Sequence, residues 1–285
     1  MPVNAMAAAY DAPSAGLGRT DNPWLRRAAR ASVEAMPDEI FDNPRVARVY
    51  DPLDPDRSDL DTYVDLAAEL GARTVLDVGC GTGTLACRLA REGIEVLGVD
   101  PAVASVDVAR GKPGADRVEW VVGTAPDIAA DPDQHGRFDL ATMTANVAQV
   151  FLTDEEWLQT LRAIHTCLRP GGHLAFETRK PADRAWERWT KEQTRQAVVV
   201  PGEGLVEEWV QVTRVDGPFV TFESPTIFHS DGERIDSTST LRFRTEEELR
   251  ASLDDAGFVE VDVWDLPYAP ERGWLVIAAA GARHT

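Results

Sequence analysis

With 285 residues, against roughly 150 per domain, the chain is long enough for one elaborated domain or a domain with a subdomain, and too long for a stapled miniature scaffold. Hydrophobic residues make up 44% and charged residues 27%, ordinary globular usage, and three cysteines, Cys80, Cys87 and Cys167, with no C-x-x-C pair, exclude a disulfide framework and fit reduced thiols in a cytoplasmic protein. The formal net charge of −19 repels phosphate backbones and anionic lipid over most of the surface, which disfavours a nucleic-acid coat protein.

Residues 1–22 are rich in Ala, Gly, Asp and Pro without periodicity and are expected to form a mobile leader. They lack the basic start and apolar stretch of a secretory signal, and no run in the chain approaches the ~20 apolar residues of a membrane span. A helical extension is expected over residues 23–73. Residues 22–36 look helical and Arg-rich, and residues 58–70 place Leu60, Val64 and Ala67 on one helix face before Gly71 as a natural stop.

From 74 to 180 strands and helices alternate. Strands are expected at 74–78, 94–100, 118–123, 138–144 and 173–178, with a helix at 84–92. A second helix opens with the capping box Thr153-Asp154-Glu155-Glu156, buries Trp157, Leu161, Ile164 and Leu168, and stops at Arg169-Pro170-Gly171-Gly172. Residues 181–243 break this rhythm. Short β-branched runs at 197–200, 206–215, 219–222 and 238–243 read as an antiparallel insertion. Residues 244–285 resume the pattern with a helix capped at Thr245, carrying Leu249, Leu253 and Ala256, and closing strands at 259–265 and 274–280. The fold class is α/β, a doubly wound and mostly parallel sheet with an antiparallel insertion.

The segment richest in chemistry is Val75-Leu76-Asp77-Val78-Gly79-Cys80-Gly81-Thr82-Gly83, a buried strand running into glycines that open a helix. Glycines there let backbone approach a ligand closely, and ligands of open α/β sheets sit at the carboxyl ends of such strands. The next strand ends in Asp100, placed to accept hydrogen bonds from ribose hydroxyls. The dinucleotide fingerprint needs a third glycine at position 84, where the chain has Thr84. Asp77 suits a cationic ligand better than a diphosphate. Together these favour a sulfonium nucleoside.

On these residues the chain resembles the class I S-adenosylmethionine-dependent methyltransferases of small-molecule type. The resemblance rests on the Asp77 to Gly83 loop, Asp100, the 118–123 strand, Phe138-Asp139-Leu140 and the turn Leu168-Arg169-Pro170-Gly171-Gly172, in that order. It implies a Rossmann-like seven-stranded sheet with an antiparallel closing pair, and S-adenosylmethionine as cofactor. Asp77, Gly79, Cys80, Gly81 and Gly83 would then lie along the methionine moiety, with Asp100 and Pro101 at the ribose. Many members carry an Asp directly after the glycine that ends the third strand. Here Thr124 stands in that place, so backbone around Ala125, Thr124 itself or Asp127 would read the adenine. Tyr50 resembles a tyrosine near the cofactor carboxylate in several members. Thr144, Asn146 and Gln149, at the end of the fourth strand, complete the candidate set.

That loop, Thr144-Ala145-Asn146-Val147-Ala148-Gln149, lacks the Pro-Pro-aromatic clamp common in members that methylate nucleic-acid or protein amines. The insertion lies where small-molecule members carry an acceptor lid, and offers Trp186, Trp189, Trp209, Phe219, Phe222, Phe228 and His229 as lid or as core. His229 is the candidate base for a hydroxyl acceptor, and no metal is implied. The expected activity is methyl transfer to O or N of a small organic acceptor, with no nucleic-acid or membrane partner and with a homodimer left open. The alternatives are a nicotinamide-dependent oxidoreductase and a non-catalytic protein that binds S-adenosylmethionine.

Overall fold

The computed structural model describes residues 38–282. The expected leader and the expected 22–36 helix lie outside the described residues. The main sheet is built from β1 (Thr74–Val78), β2 (Glu95–Asp100), β3 (Val118–Val122), β4 (Phe138–Met143), β5 (Leu168–Arg179), β13 (Phe258–Asp265) and β14 (Gly273–Ala280). Their order is β3-β2-β1-β4-β5-β14-β13. Strands β1 to β5 run parallel, and β14 is antiparallel to both β5 and β13. The order reverses between β1 and β4, and ligands of open α/β sheets bind outside the strand ends at such a point.

The described helices are α1 (Glu39–Asp42), α2 (Pro44–Leu53), α3 (Asp61–Glu69), α4 (Thr84–Arg91), α5 (Val103–Arg110), α6 (Ala125–Ala129), α7 (Asp154–Cys167), α8 (Lys191–Thr194) and α9 (Glu246–Asp255). Two apolar layers cover the sheet. Trp157, Leu161 and Ile164 of α7 and Leu249 and Leu253 of α9 pack on one face with Leu76, Val78 and Phe176. Leu60, Tyr63 and Ala67 with Leu85 and Leu89 of α4 pack on the other with Val75, Leu140 and Ala175. The period of each helix dictates these stripes. Thr153 and Thr245 cap α7 and α9 as the sequence implies.

Three features differ from expectation. The fifth strand begins at Leu168, not at 173, because the Arg169–Gly172 stretch bulges along β4 with a register shift. Gly172 passes so close that a Cβ there would lie 3.0 Å from the Arg169, Phe138 and Asp139 carbonyl oxygens. The run expected at 206–215 is two strands, β7 (Gly204–Glu208) and β8 (Gln211–Asp216), in different sheets. Between them the Val210 amide turns to Thr194 Oγ1 at 2.8 Å, and the Val212 amide donates to the Trp189 carbonyl at 3.0 Å. Finally, α5 and α6 add helices where none was expected, while α2 falls within the stretch expected to be helical.

The insertion therefore forms two small antiparallel sheets. One joins β6 (Gln196–Val200), β7, β10 (Thr226–Phe228) and β11 (Glu233–Ile235), and the other joins β8, β9 (Phe219–Glu223) and β12 (Thr238–Arg242). Val200, Val206 and Phe228 of the first bury Val49 and Leu53 of α2. Arg45 on α2 adds an ion pair to Glu203 at 2.9 Å and one to Asp231 at 2.8 Å, and its guanidinium lies 3.8 Å from the Phe228 ring centroid.

Candidate functional site

Beyond β1, Gly79, Gly81 and Gly83 all take left-handed backbone, with φ of 69°, 52° and 76°, a conformation that side chains make costly. The Gly79 and Cys80 amides donate to the Val99 carbonyl at 2.8 and 3.2 Å, which ties the loop to β2. A Cβ on Gly79 would come 2.6 Å from Val147 Cγ2, and one on Gly83 2.3 Å from the Trp120 ring. At Gly81 a Cβ would meet nothing within 4 Å. The outer glycines thus serve packing, while Gly81 borders open space. Cys80 is buried, and burial raises its thiol well above the ordinary value, so it is no nucleophile.

Two acids flank this opening. Asp100 accepts the Gly81 amide with Oδ2 and the Ala102 amide with Oδ1, both at 2.8 Å. Burial raises its carboxyl pKa, opposed by those two amides. Asp77, 1% exposed, accepts the Thr142 hydroxyl at 2.8 Å through Oδ1. Its Oδ2 is buried with no hydrogen-bond partner, and burial pushes the carboxyl up to about 7. A buried carboxylate oxygen without a donor is costly, and a ligand carrying a cation or donor would relieve it. Pro101 is exposed and leads into α5.

Past β3, the Thr124 amide and hydroxyl both donate to Asp127 Oδ2, at 2.8 and 2.7 Å. That oxygen would lie 3.2 Å from a Cβ on Gly123. The carboxylate missing at position 124 is thus carried back to the end of β3 from position 127. Ala125 is buried beneath it.

Past β4, Thr144 and Gln149 are buried, and Ala145 and Asn146 take left-handed φ of 54° and 61°. Gln149 Oε1 accepts from Arg179 at 2.8 Å. Arg244, 2% exposed, donates to the Ala148 carbonyl at 3.1 Å and the Phe151 carbonyl at 2.7 Å. Its loss of hydration lowers the guanidinium to about 10.

Tyr50 lies in the last turn of α2, and burial raises its hydroxyl pKa. The neighbouring Asp51 contacts the glycine loop directly. Its Oδ1 accepts the Thr82 hydroxyl at 2.7 Å and the Thr84 hydroxyl at 3.3 Å, and its Oδ2 pairs with Lys112 at 2.7 Å.

The structure brings Asp77, the glycines, Asp100, Thr144, Asn146 and Gln149 to the carboxyl ends of β1, β2 and β4. It does not join His229 to them. His229 pairs with Glu207 at 3.0 Å, and Glu207 pairs in turn with Arg195 at 2.6 Å. Among the described residues no hydrogen bond or ion pair runs from this surface group to Asp77, Asp100 or Glu177. The insertion aromatics serve largely as core. Trp186 and Trp189 pack on Phe243 at 4.7 and 6.0 Å, Trp189 also meets Phe222 at 5.2 Å, and Phe228 is fully buried. Sequence reasoning missed Asp51, Lys112, Glu177, Arg179 and Arg244. Glu177 carried a usable signal, being an acid directly after the apolar run Leu174-Ala175-Phe176.

Residues 75–172 match a family model described as a methyltransferase domain. Over 118 residues the chain is 31% identical to a ubiquinone biosynthesis O-methyltransferase of Marinobacter nauticus, covering 41% of this chain and 48% of the relative. Over 121 residues it is 36% identical to a cypemycin N-terminal methyltransferase of a Streptomyces species, covering 42% and 48%. The chain thus spans about half the length of these curated relatives. Among solved structures, an amino pentose methyltransferase from Micromonospora echinaspora with bound S-adenosylmethionine superimposes with a TM-score of 0.61 at 23% identity, over 87% of this chain and 100% of that one. A sugar N-methyltransferase from a Streptoalloteichus species gives 0.60 at 20% identity, over 98% and 100%. The order of the motifs, the strand order and these likenesses agree: residues 75–172 match a methyltransferase domain, and the chain has the fold of solved S-adenosylmethionine-dependent methyltransferases.

Proposed function

We propose that the chain transfers the sulfonium methyl of S-adenosylmethionine to an oxygen or nitrogen of a small organic acceptor. The observation that carries this reading is the unpartnered, buried Asp77 Oδ2 beside an opening at Gly81. The residues fit the cofactor. Asp77 would face its amino group, the 79–83 loop would lie along the methionine moiety, Asp100 would accept from the ribose, and Thr124, Ala125 and Asp127 would border the adenine. Bound there, the cofactor supplies an already activated methyl group for in-line displacement.

What remains for the chain is alignment and exclusion of water. The glycine loop is fixed from behind by Asp51, and from the side by Val147. The loop at 144–149 fixes the acceptor side. In this reading residues 74–180 with 244–285 form the cofactor-binding core, and 181–243 form the lid over the acceptor. An amine acceptor needs only a free lone pair. A hydroxyl acceptor gains from a base, but His229, the sequence candidate, is taken up by Glu207 apart from Asp77 and Asp100. Both acceptor types occur among the relatives, an O-methyltransferase and an N-terminal methyltransferase. The net charge of −19 favours a small acceptor over nucleic acid or an anionic membrane. Among the described residues no helix is long and apolar enough to cross a membrane.

A screen of metabolite fractions with labelled methyl donor tests the reading. Transfer to a low-molecular-weight product supports it. Transfer only to nucleic acid, or hydride transfer with a nicotinamide cofactor, overturns it.

A further inference from the structure

Ala145 and Asn146 hold successive left-handed conformations although neither is a glycine. Each costs roughly 1 kcal/mol or more, so their surroundings must hold them. The Val147 amide closes the turn on the Thr144 carbonyl at 3.2 Å, and Glu177, buried near the carboxyl end of β5, reaches it from the side chain. Its Oε1 accepts the Asn146 amide at 3.3 Å, and the Ala145 amide also favours the charged carboxylate. Successive amides in such a turn make a concavity that suits an anion. The other oxygen accepts the hydroxyl of Tyr63, itself fully buried on α3.

Two residues along β5, Arg179 donates to Gln149 Oε1, so one strand straps the loop at two points. Between the straps, Val147 presses on Gly79 and fills the space a Cβ there would need. A buried carboxylate is costly beside an apolar residue of similar size. What it adds here is a pair of acceptors aimed at the amides of a strained turn.

We propose that Glu177 is a positioning residue for methyl transfer, fixing the loop after β4, through the Ala145–Asn146 turn and Val147, against the glycine loop. This rests on the methyltransferase reading above. Its role is conformational, and a change that removes the strain of the turn substitutes for it.

The test compares the wild type with Glu177→Ala, Glu177→Gln and the double variant Glu177→Ala/Ala145→Gly. The readouts are calorimetric binding of S-adenosylhomocysteine and hydrogen exchange of the 145 and 146 amides. Glu177→Ala is expected to speed exchange and weaken binding, each about tenfold. Glu177→Gln, which keeps one acceptor oxygen, stays within about threefold of wild type. The double variant, whose glycine adopts positive φ freely at position 145, recovers part of the lost affinity. Unchanged exchange and affinity in a folded Glu177→Ala protein, or no recovery in the double variant, overturns the proposal. If Glu177→Ala does not fold, Tyr63→Phe reads the same strap, with faster exchange at 145 and 146 supporting it and unchanged exchange overturning it. Failure of the wild type to bind S-adenosylhomocysteine contradicts the methyltransferase reading, whereas the exchange data judge the strap on their own.

Discussion

Asp77 spends one carboxylate oxygen on the Thr142 hydroxyl of the neighbouring strand, at 2.8 Å, and leaves the other buried and unpaired. Burial raises its pKa from 3.8 to about 7. Between those values the folded chain keeps a proton that the unfolded chain has lost, so this acid's contribution to stability falls as pH rises and levels off above about 7. Asp77→Asn should flatten that part of a melting-temperature against pH curve. Asp100 and Glu177, also raised by burial, act in the same sense in both proteins. A ligand amino group on Oδ2 favours the ionised acid, so wild-type affinity for S-adenosylhomocysteine should fall as pH drops below about 7. Affinity that is flat from acid to neutral pH contradicts this assignment.

The three loop glycines should separate under substitution by alanine. Gly83→Ala forces a Cβ to 2.3 Å from the Trp120 ring and should lower stability by roughly 2–4 kcal/mol through overpacking and positive φ. Gly81→Ala meets no atom and should lower it by only about 1–2 kcal/mol. Its cofactor affinity should nevertheless fall at least tenfold, because the methyl enters the ligand's space. Denaturant melts paired with calorimetry distinguish the two, and full affinity in Gly81→Ala would count against a ligand there.

Asp51 joins α2 to the glycine loop through Thr82, Thr84 and Lys112, while Arg45 at the start of that helix holds the insertion. Asp51→Ala should lower stability by about 1–2 kcal/mol, because its side chain is partly exposed and the ion pair is screened. It should also weaken cofactor binding more than Asp51→Asn, which keeps the acceptor for Thr82. Equal affinities in the two variants would show that the clamp does not reach the cofactor loop.

The parallel core was legible because its signals are local. Gly79, Gly81 and Gly83 sit directly after an apolar strand, and Thr153 and Thr245 announce their helices. The missed parts depend on partners far along the chain. Glu177 acquires its meaning from Tyr63, which is 114 residues away, and nothing local marks Ala145 for positive φ. The strand Thr226–Phe228 is only three residues long, too short for a period. Helix α2, by contrast, carried a readable start in Asn43-Pro44, with the Asn43 side chain accepting the Arg45 amide at 2.9 Å.

His229 is half exposed and pairs with the buried carboxylate of Glu207. With an amine acceptor, His229→Ala should change the initial rate of methyl transfer less than about threefold, since no base is required. A loss of about a hundredfold with any acceptor would restore this histidine as the general base.

The most direct test of the whole account is a calorimetric titration of the purified chain with S-adenosylhomocysteine, repeated with Asp100→Ala. The wild type is expected to bind at micromolar levels, and the variant to lose roughly 1–3 kcal/mol with the hydrogen bonds to Asp100. No heat of binding, with a nicotinamide dinucleotide binding in its place, would contradict it.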